Sequence, residues 1–294
     1  MKLIKPYFEI IEQGPSIEDL YKHIELCGRN AYKSEDKITE DSAKVFVDKI
    51  CKAKHASVLE HGTLYFKIPV NVDNAANFLD EIPTWTKCKL VQSKECNWWA
   101  VTTNFRVMIE HFAPEYIEDL IKNYICEPTE YHEKRVSVRF VCSRAISHEL
   151  VRHRVFTFTQ ESQRYCNYSK DKFGNDVTFI IPEWLEKFKK ELLNKEGYRE
   201  NGTSDMFTDN DYFDFLKQCE SCYIAAIIAG AKPEEAREVL PNSTKTDIIM
   251  TGFISDWKHF FELRCSEAGA KNMHPEMDRL VSPLYIEFKN RNFL

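Results

Sequence analysis

Arg152, His153, Arg154 and Arg164 fall within residues 149–165, which read E-L-V-R-H-R-V-F-T-F-T-Q-E-S-Q-R-Y. The chain as a whole carries a formal net charge of -6, so this is a basic island in an acidic protein. The same stretch holds Thr157, Thr159, Gln160, Ser162 and Gln163, a dense set of neutral hydrogen-bonding groups. Arginine offers a planar fork that matches phosphate geometry, and Ser and Gln add directional donors and acceptors. Together they suit a small anionic ligand with a polar ring, such as a nucleotide. A plain alternative is a solvated, charged helix end, because arginine is favoured near helix C-termini.

Composition narrows the class. The 294 residues suit one large domain or two smaller ones, and 43% apolar with 29% charged residues is a globular balance. The longest nearly pure apolar run, 222–231, is too short to span a bilayer, so no membrane partner is expected. The N-terminus M-K-L-I-K-P-Y-F-E-I lacks the apolar core of a signal peptide, which predicts a cytoplasmic protein. Ten scattered cysteines do not make a disulfide scaffold in a chain this long. Cys219 and Cys222 form one C-x-x-C inside an aromatic-rich helical segment, which reads as core rather than metal or redox site; no metal is expected. The acidic balance argues against a nucleic-acid coat.

The elements that must position the island follow from periodicity. Ser16 with Asp19 resembles a capping box, and Ile17, Leu20, Tyr21, Ile24 and Cys27 predict a helix over 16–30. A second helix is predicted over 40–53. His55 and His61 are six apart, which suits no helix-face metal pair, so 55–61 reads as a capped turn into a strand over 62–70. Stretch 71–134 carries Trp85, Trp98, Trp99, Cys88 and Cys96, whose aromatics are expected to pack a lobe of their own. A strand over 136–141 leads to Ser143, an N-cap for a helix to about 153. That helix would place Glu149, Arg152 and His153 on one face at its C-terminus. Residues 155–159 alternate poorly and are expected as an irregular loop. A strand over 177–181, a charged helix to about 196 and a polar loop over 195–211 follow. Tyr212, Phe215, Cys219, Cys222 and Ala226 then predict a helical stripe ending at Gly230. After a strand over 248–253 comes a helix over 255–264. Pro275 is placed to start the last helix, and Pro283 should kink it.

At R-H-R, seven residues, then Ser162, the chain resembles the flavin-dependent thymidylate synthases. H-x-S-x-x-E-H at 55–61 resembles that family's loop that contacts flavin, and it lies upstream of R-H-R in the family's order. P-E-E-A-R-E-V-L-P at 233–241 resembles its short helix and Leu-Pro turn, and F-F-E-L-R ends at Arg264 as in the family. The likeness covers about 55–70 and 136–280. It implies an α+β fold with a central antiparallel or mixed sheet flanked by helices, a single domain over 1–294 with an inserted lobe at about 71–134, and a homotetramer. It also implies reductive methylation of deoxyuridine monophosphate (dUMP) to dTMP. Methylenetetrahydrofolate would donate the carbon, and FAD reduced by NADPH would supply the hydride.

By the same resemblance Arg264 stabilises charge on the pyrimidine. Glu149, Arg152, Gln160, Glu161, Ser162, Gln163, Arg164 and Arg237 bind the nucleotide, with backbone N–H groups of 161–164 helping. His55, Ser57, Glu60, Arg152, His153, Arg154, Gln160, His259 and His274 are assigned to cofactors. One departure stands out: where many members have Asn and Arg, this chain has Phe253 and Ser255. Two other classes remain open. One is a nucleotide- or single-stranded-RNA-binding protein without catalysis, given the aromatics interleaved with the arginines. The other is a flavoprotein of this fold acting on another pyrimidine.

Overall fold

In the computed structural model, which describes residues 1–53, 55–70, 85–94, 96–185 and 209–294, the strands are β1 Lys2–Ile4, β2 Tyr7–Ile11, β3 Thr63–Pro69, β4 Lys87–Val91, β5 Trp98–Asn104, β6 Arg135–Ser143, β7 Thr157–Gln160, β8 Thr178–Ile180 and β9 Lys245–Phe253. The helices are α1 Ile17–Tyr32, α2 Ser42–Lys52, α3 Ala56–Leu59, α4 Phe105–His111, α5 Pro114–Tyr124, α6 Arg144–Leu150, α7 Asp209–Ile228, α8 Pro233–Ala236, α9 Ile254–Arg264 and α10 Pro275–Asn290.

β6 and β9 are buried along almost their whole length, so both of their faces must be covered. They form the centre of an antiparallel sheet in the order β2-β6-β9-β7, in the register Val138 to Met250 and Phe140 to Ile248. One face carries Val138, Phe140 and Met250 against Trp257, Phe260 and Phe261 of α9 and Leu280, Leu284 and Phe288 of α10. A second core joins Leu20 and Ile24 of α1 and Val47 of α2 to Leu64 and Phe66 of β3. β3 belongs to a smaller antiparallel sheet, β3-β5-β4, and β1 pairs β8 in parallel. The class is α+β, with the central sheet antiparallel throughout. No helix among the described residues is long and apolar enough to cross a membrane.

Several helices begin where their capping residues dictate. Ser16 Oγ accepts from Asp19 N at 3.1 Å, Ser143 Oγ accepts from Ile146 N at 3.3 Å, and Pro275 follows the N-cap His274. α10 continues through Pro283 to Asn290 as one helix. All ten cysteines are free.

Four sequence expectations need correction. Residues 157–160 are a strand, not an irregular loop: Thr157 to Gln160 pair with Thr251 to Ile248 of β9. The helix after Ser143 stops at Leu150, and Arg152 and His153 lie in the turns that follow. In α7 the buried positions are Leu216, Cys219 and Tyr223, whereas Phe215 and Cys222 face outward. α7 also begins at Asp209, inside the segment expected as a polar loop. The rest of that loop, and the charged helix to about 196 beyond residue 185, lie outside the described residues.

β7 is fixed from beneath by polar contacts. Buried His61 joins Thr159 Oγ1 through Nε2 at 2.8 Å and Thr251 Oγ1 through Nδ1 at 2.7 Å. Thr251 Oγ1 meets Ser137 Oγ at 2.6 Å, and Ser137 Oγ meets His23 Nε2 at 2.9 Å. From α1, Asn30 Nδ2 donates to the carbonyls of Thr159 at 3.4 Å and Asp247 at 3.3 Å. Gly252 lets the ring of Phe156 lie on β9, since a Cβ there would come within 2.4 Å of Phe156 Cδ1.

Candidate functional site

α6 is a helix of only seven residues, with a basic group at each end. At its C-terminal end Arg264, the last residue of α9, reaches across. Its Nη1 donates to Glu149 Oε2 at 2.5 Å and its Nε donates to His153 Nε2 at 3.1 Å. The turns after Leu150 make this possible: Arg152 N donates to Glu149 O, His153 N to Leu150 O and Phe156 N to His153 O. The His153 ring stands edge-on to Phe260, with centroids 4.9 Å apart. Burial, then Arg264, His259 and Arg152, push the His153 pKa down to about 4. A neutral ring whose Nε2 accepts from Arg264 must carry its proton on Nδ1. The guanidinium is therefore held by a carboxylate on one side and a lone pair on the other, with its plane fixed.

At the N-terminal end of α6 lies a cavity of about 230 Å³ lined by Arg144, His148, Gln163, Arg237, Glu238 and Asn242, among others. Arg144 and His148 are four apart on α6 and so share its face. Arg237 comes from the short 3-10 turn Arg237–Val239 after α8, and its Nε donates to Glu234 O at 3.2 Å. Arg164, half exposed, pairs through Nε with Glu234 Oε2 at 3.3 Å. Glu234 thus brings Arg164 and Arg237 side by side. Ser162 Oγ accepts from Arg164 N at 3.3 Å, and Gln160 Nε2 donates to Ser147 Oγ at 2.9 Å and Thr246 Oγ1 at 3.1 Å.

Glu161, expected beside these residues, is turned into the core. Its carboxylate pairs with Lys245 at 2.7 Å and accepts from Tyr168 OH at 2.9 Å. The backbone N–H groups of 161–164 are also largely engaged: Glu161 N donates to Asp247 O at 2.8 Å and Ser162 N to Ala31 O at 2.9 Å. Asp247 anchors this loop as well. Burial would raise its pKa, but Lys245, Lys33 and Arg139 outweigh that and hold it well below the usual carboxylate range.

The 55–61 motif divides in two. His55 and Ser57 are exposed, whereas Glu60 and His61 point inward. Glu60 pairs with Arg106 of α4 and accepts from Thr157 Oγ1 at 2.7 Å. Burial, then His23 and Arg135, depress the His61 pKa well below the ordinary histidine value. Arg152 and Arg154 are exposed and form no ion pair among the described residues. His259 is exposed beside Glu262, 3.6 Å away, and His274 is an exposed N-cap of α10. Phe253 is 4% exposed, with Lys87 and Arg135 each 5.5 Å from its ring centroid.

Sequence reasoning missed Arg144, His148, Arg106 and Lys245. The spacing of Arg144 and His148 was readable as one helix face. The other two act through partners 46 and 84 residues away, which no local pattern encodes.

A family model described as thymidylate synthase complementing protein matches residues 89–289. The flavin-dependent thymidylate synthase of Pyrococcus furiosus is 36% identical over 126 residues, which cover 43% of this chain and 44% of that relative. The one from Sulfurisphaera tokodaii is 33% identical over 199 residues, covering 63% of this chain and 68% of its own length. The chain therefore spans less than half of the first of these and about two thirds of the second. A solved structure of a UMP/dUMP methylase from Streptomyces cacaoi bound with 5-Br dUMP matches 99% of this chain at 15% identity with a TM-score of 0.44, too weak a likeness to carry an argument. The matched span opens at residue 89, inside the stretch that motif order alone had set apart. By that match the chain belongs to the thymidylate synthase complementing protein family.

Proposed function

We propose that the chain catalyses the reductive methylation of dUMP to dTMP, with methylenetetrahydrofolate as carbon donor and FAD as bound cofactor, reduced by NADPH. The observation that carries the reading is Arg264, locked between Glu149 and neutral His153 and followed across α6 by a second cluster of arginines. Family membership and the names of the relatives support it.

In this reading Arg264 faces the pyrimidine. A fixed cation in a partly buried site stabilises negative charge that develops on the ring as its C5 becomes nucleophilic. Glu149 and His153 keep the guanidinium from rotating, so no reorganisation is needed when that charge appears. Arg237, Arg164, Ser162 and Gln163 hold the phosphate end. Gln160, oriented by Ser147 and Thr246, lines the nucleotide between the two ends. Glu161 acts by position: pinned by Lys245, it sets the path of the chain into Ser162. No cysteine is required as nucleophile. Burial pushes the Cys166 thiol up to about 12, which leaves it protonated at neutral pH.

The residues fit a flavin at one place and not at another. Arg152 and Arg154, which form no ion pair among the described residues, put two guanidinium forks on one exposed turn, a donor set suited to a pyrophosphate. At the 253–255 turn the buried Phe253 offers no polar contact, so adenine recognition there is not assigned. Reduced flavin, when bound, supplies the hydride. Glu60 holds the loop that bears His55 and Ser57, while His259 and His274 are outer candidates for flavin or folate. By the family resemblance the chain assembles as a homotetramer, in which a second copy would cover the exposed Arg152, Arg154, His55 and Ser57. We place the enzyme in the cytoplasm.

The test is the visible absorption spectrum of the purified chain titrated with dUMP. Flavin bands that shift on addition are expected. A protein that cannot be loaded with flavin, or whose bands ignore dUMP, would sink the reading.

A further inference from the structure

α3 has four residues, too few to be stable as a helix on its own. The position of the loop that bears His55 and Ser57 must therefore come from what grips it. Leu59 is anchored in the core, and the next residue, Glu60, is held at three atoms. Its Oε2 accepts from Thr157 Oγ1 of β7 at 2.7 Å, its backbone oxygen accepts from Arg135 Nη1 at 3.0 Å, and its Oε1 pairs with Arg106 Nη1. Thr157 stands three residues after Arg154, so Glu60 joins the 55–61 loop to the end of the R-H-R turn.

Arg106 belongs to none of the motifs that carry the family resemblance. The start of α4 fixes its place. Asn104 caps that helix, its side-chain oxygen accepting from Val107 N at 3.1 Å. Phe105 is buried, and its N donates to Gly62 O at 2.9 Å. Arg106 thus leaves α4 beside the end of the 55–61 motif. Its Nε donates to Glu110 Oε1 at 2.8 Å, one turn further on, which steadies the guanidinium from the far side. The Glu60 side chain is only 15% exposed, against 37% for Arg106. A carboxylate so covered has little water to satisfy it, and Arg106 is the one cation within ion-pair distance of it among the described residues.

We infer that Arg106 is a positioning residue for the flavin site, holding Glu60 so that the 55–61 loop and the R-H-R turn present their groups to one cofactor. The identity of the cofactor rests on the function proposed above; the grip on the loop does not. An ordinary exposed ion pair contributes little. Here the carboxylate is bonded to a second element, so loss of the cation is felt in both segments.

Flavin affinity is read from the change in FAD fluorescence on titration with the full chain, as wild type, Arg106→Gln, Arg106→Lys, Glu60→Gln and the double variant Glu60→Gln with Arg106→Gln. Arg106→Gln should weaken FAD binding about tenfold, and Arg106→Lys should recover part of the loss. The double variant should bind no more weakly than Glu60→Gln alone. Losses that add, or an Arg106→Gln variant that binds FAD as wild type does, would overturn the inference. So would a fall in melting temperature that accounts for the lost affinity, which marks a merely structural role. Amide hydrogen exchange on the flavin-free chain supplies a second readout: exchange across 56–61 should quicken in Arg106→Gln. If wild type takes up no flavin but exchange quickens in the variant, the proposed cofactor fails and the grip on the loop stands. If exchange across 56–61 is unchanged, the assignment of Arg106 fails.

Discussion

His153 gives Arg264 a lone pair, and it can do so only while neutral. With its pKa near 4 it stays neutral across the physiological range. Arg264→Lys keeps the charge but loses the two-sided grip, because an ammonium cannot meet Glu149 and His153 in one plane. We expect its turnover of dUMP to fall about a hundredfold, of the size seen when a preorganised donor is removed. Initial-rate kinetics check this, and an unchanged kcat would refute it. The buried histidines set a pH limit on stability. Burial, then Arg135, lowers His23 to about 4, against an ordinary value of 6.5. A depressed histidine binds fewer protons folded than unfolded. Its contribution is therefore complete above pH 6.5 and is lost as pH falls toward 4. Unfolding free energy should drop by on the order of 3 kcal/mol over that window for His23 alone. Urea titrations of wild type and His23→Gln from pH 7.5 to 4.5 should show the shallower slope in the variant. At this scale the R-H-R run was legible because residue identity carries it. The inward turn of Glu161 was not, because Lys245 decides it from a distant strand.

β7 shows what alternation rules miss. Phe156, Thr157, Phe158 and Thr159 alternate aromatic with hydroxyl, and the hydroxyl face is as buried as a core face. Thr157 and Thr159 are satisfied by Glu60 and His61, so polar residues sit where a strand read by hydrophobicity expects solvent. The strand exists because β9 offers a paired edge. The helices starting at Ser16, Ser143 and Pro275 were legible because their caps are local. β1, β2, β4 and β5 were not foreseen as strands, since short strands owe their existence to partners far along the chain. Gly252→Ala should force the Phe156 ring off β9 and cost about 1–3 kcal/mol, the usual range for overpacking. Chemical denaturation reads it directly, and a variant as stable as wild type would show that the ring has room to move.

Across the whole molecule, α1, β6 and β9 converge on one buried carboxylate. Asp247 pairs with Lys245 at 2.9 Å and Arg139 at 3.1 Å, and also with Lys33, the C-cap of α1. Removing that charge would leave three cations facing each other. Asp247→Asn should cost about 3–5 kcal/mol, as when one partner of a buried pair is lost. It should also loosen the loop into Ser162, so that nucleotide affinity falls together with melting temperature. A drop in one without the other would separate the anchor from the site. The overall class, α+β around an antiparallel sheet, was legible through the family motifs. The way α1, β6 and β9 are tied through one buried carboxylate was not.

The chain of contacts from Thr159 through His61, Thr251 and Ser137 to His23 has a further property. Each hydroxyl owns one proton and each neutral imidazole owns one, so the choice of donor at one link dictates the next. The whole row has one polarity. His23 Nδ1, at its end, is buried without a partner among the described residues. If His23 donates through Nε2, the orphan is only a lone pair. If the row runs the other way, the orphan is an N–H, the more costly thing to leave unmet. The end of the row therefore sets its sense: protons point from His23 toward Thr159, and β7 receives them. A valine at Thr251 would cut the row in two and leave each half free to choose its own direction.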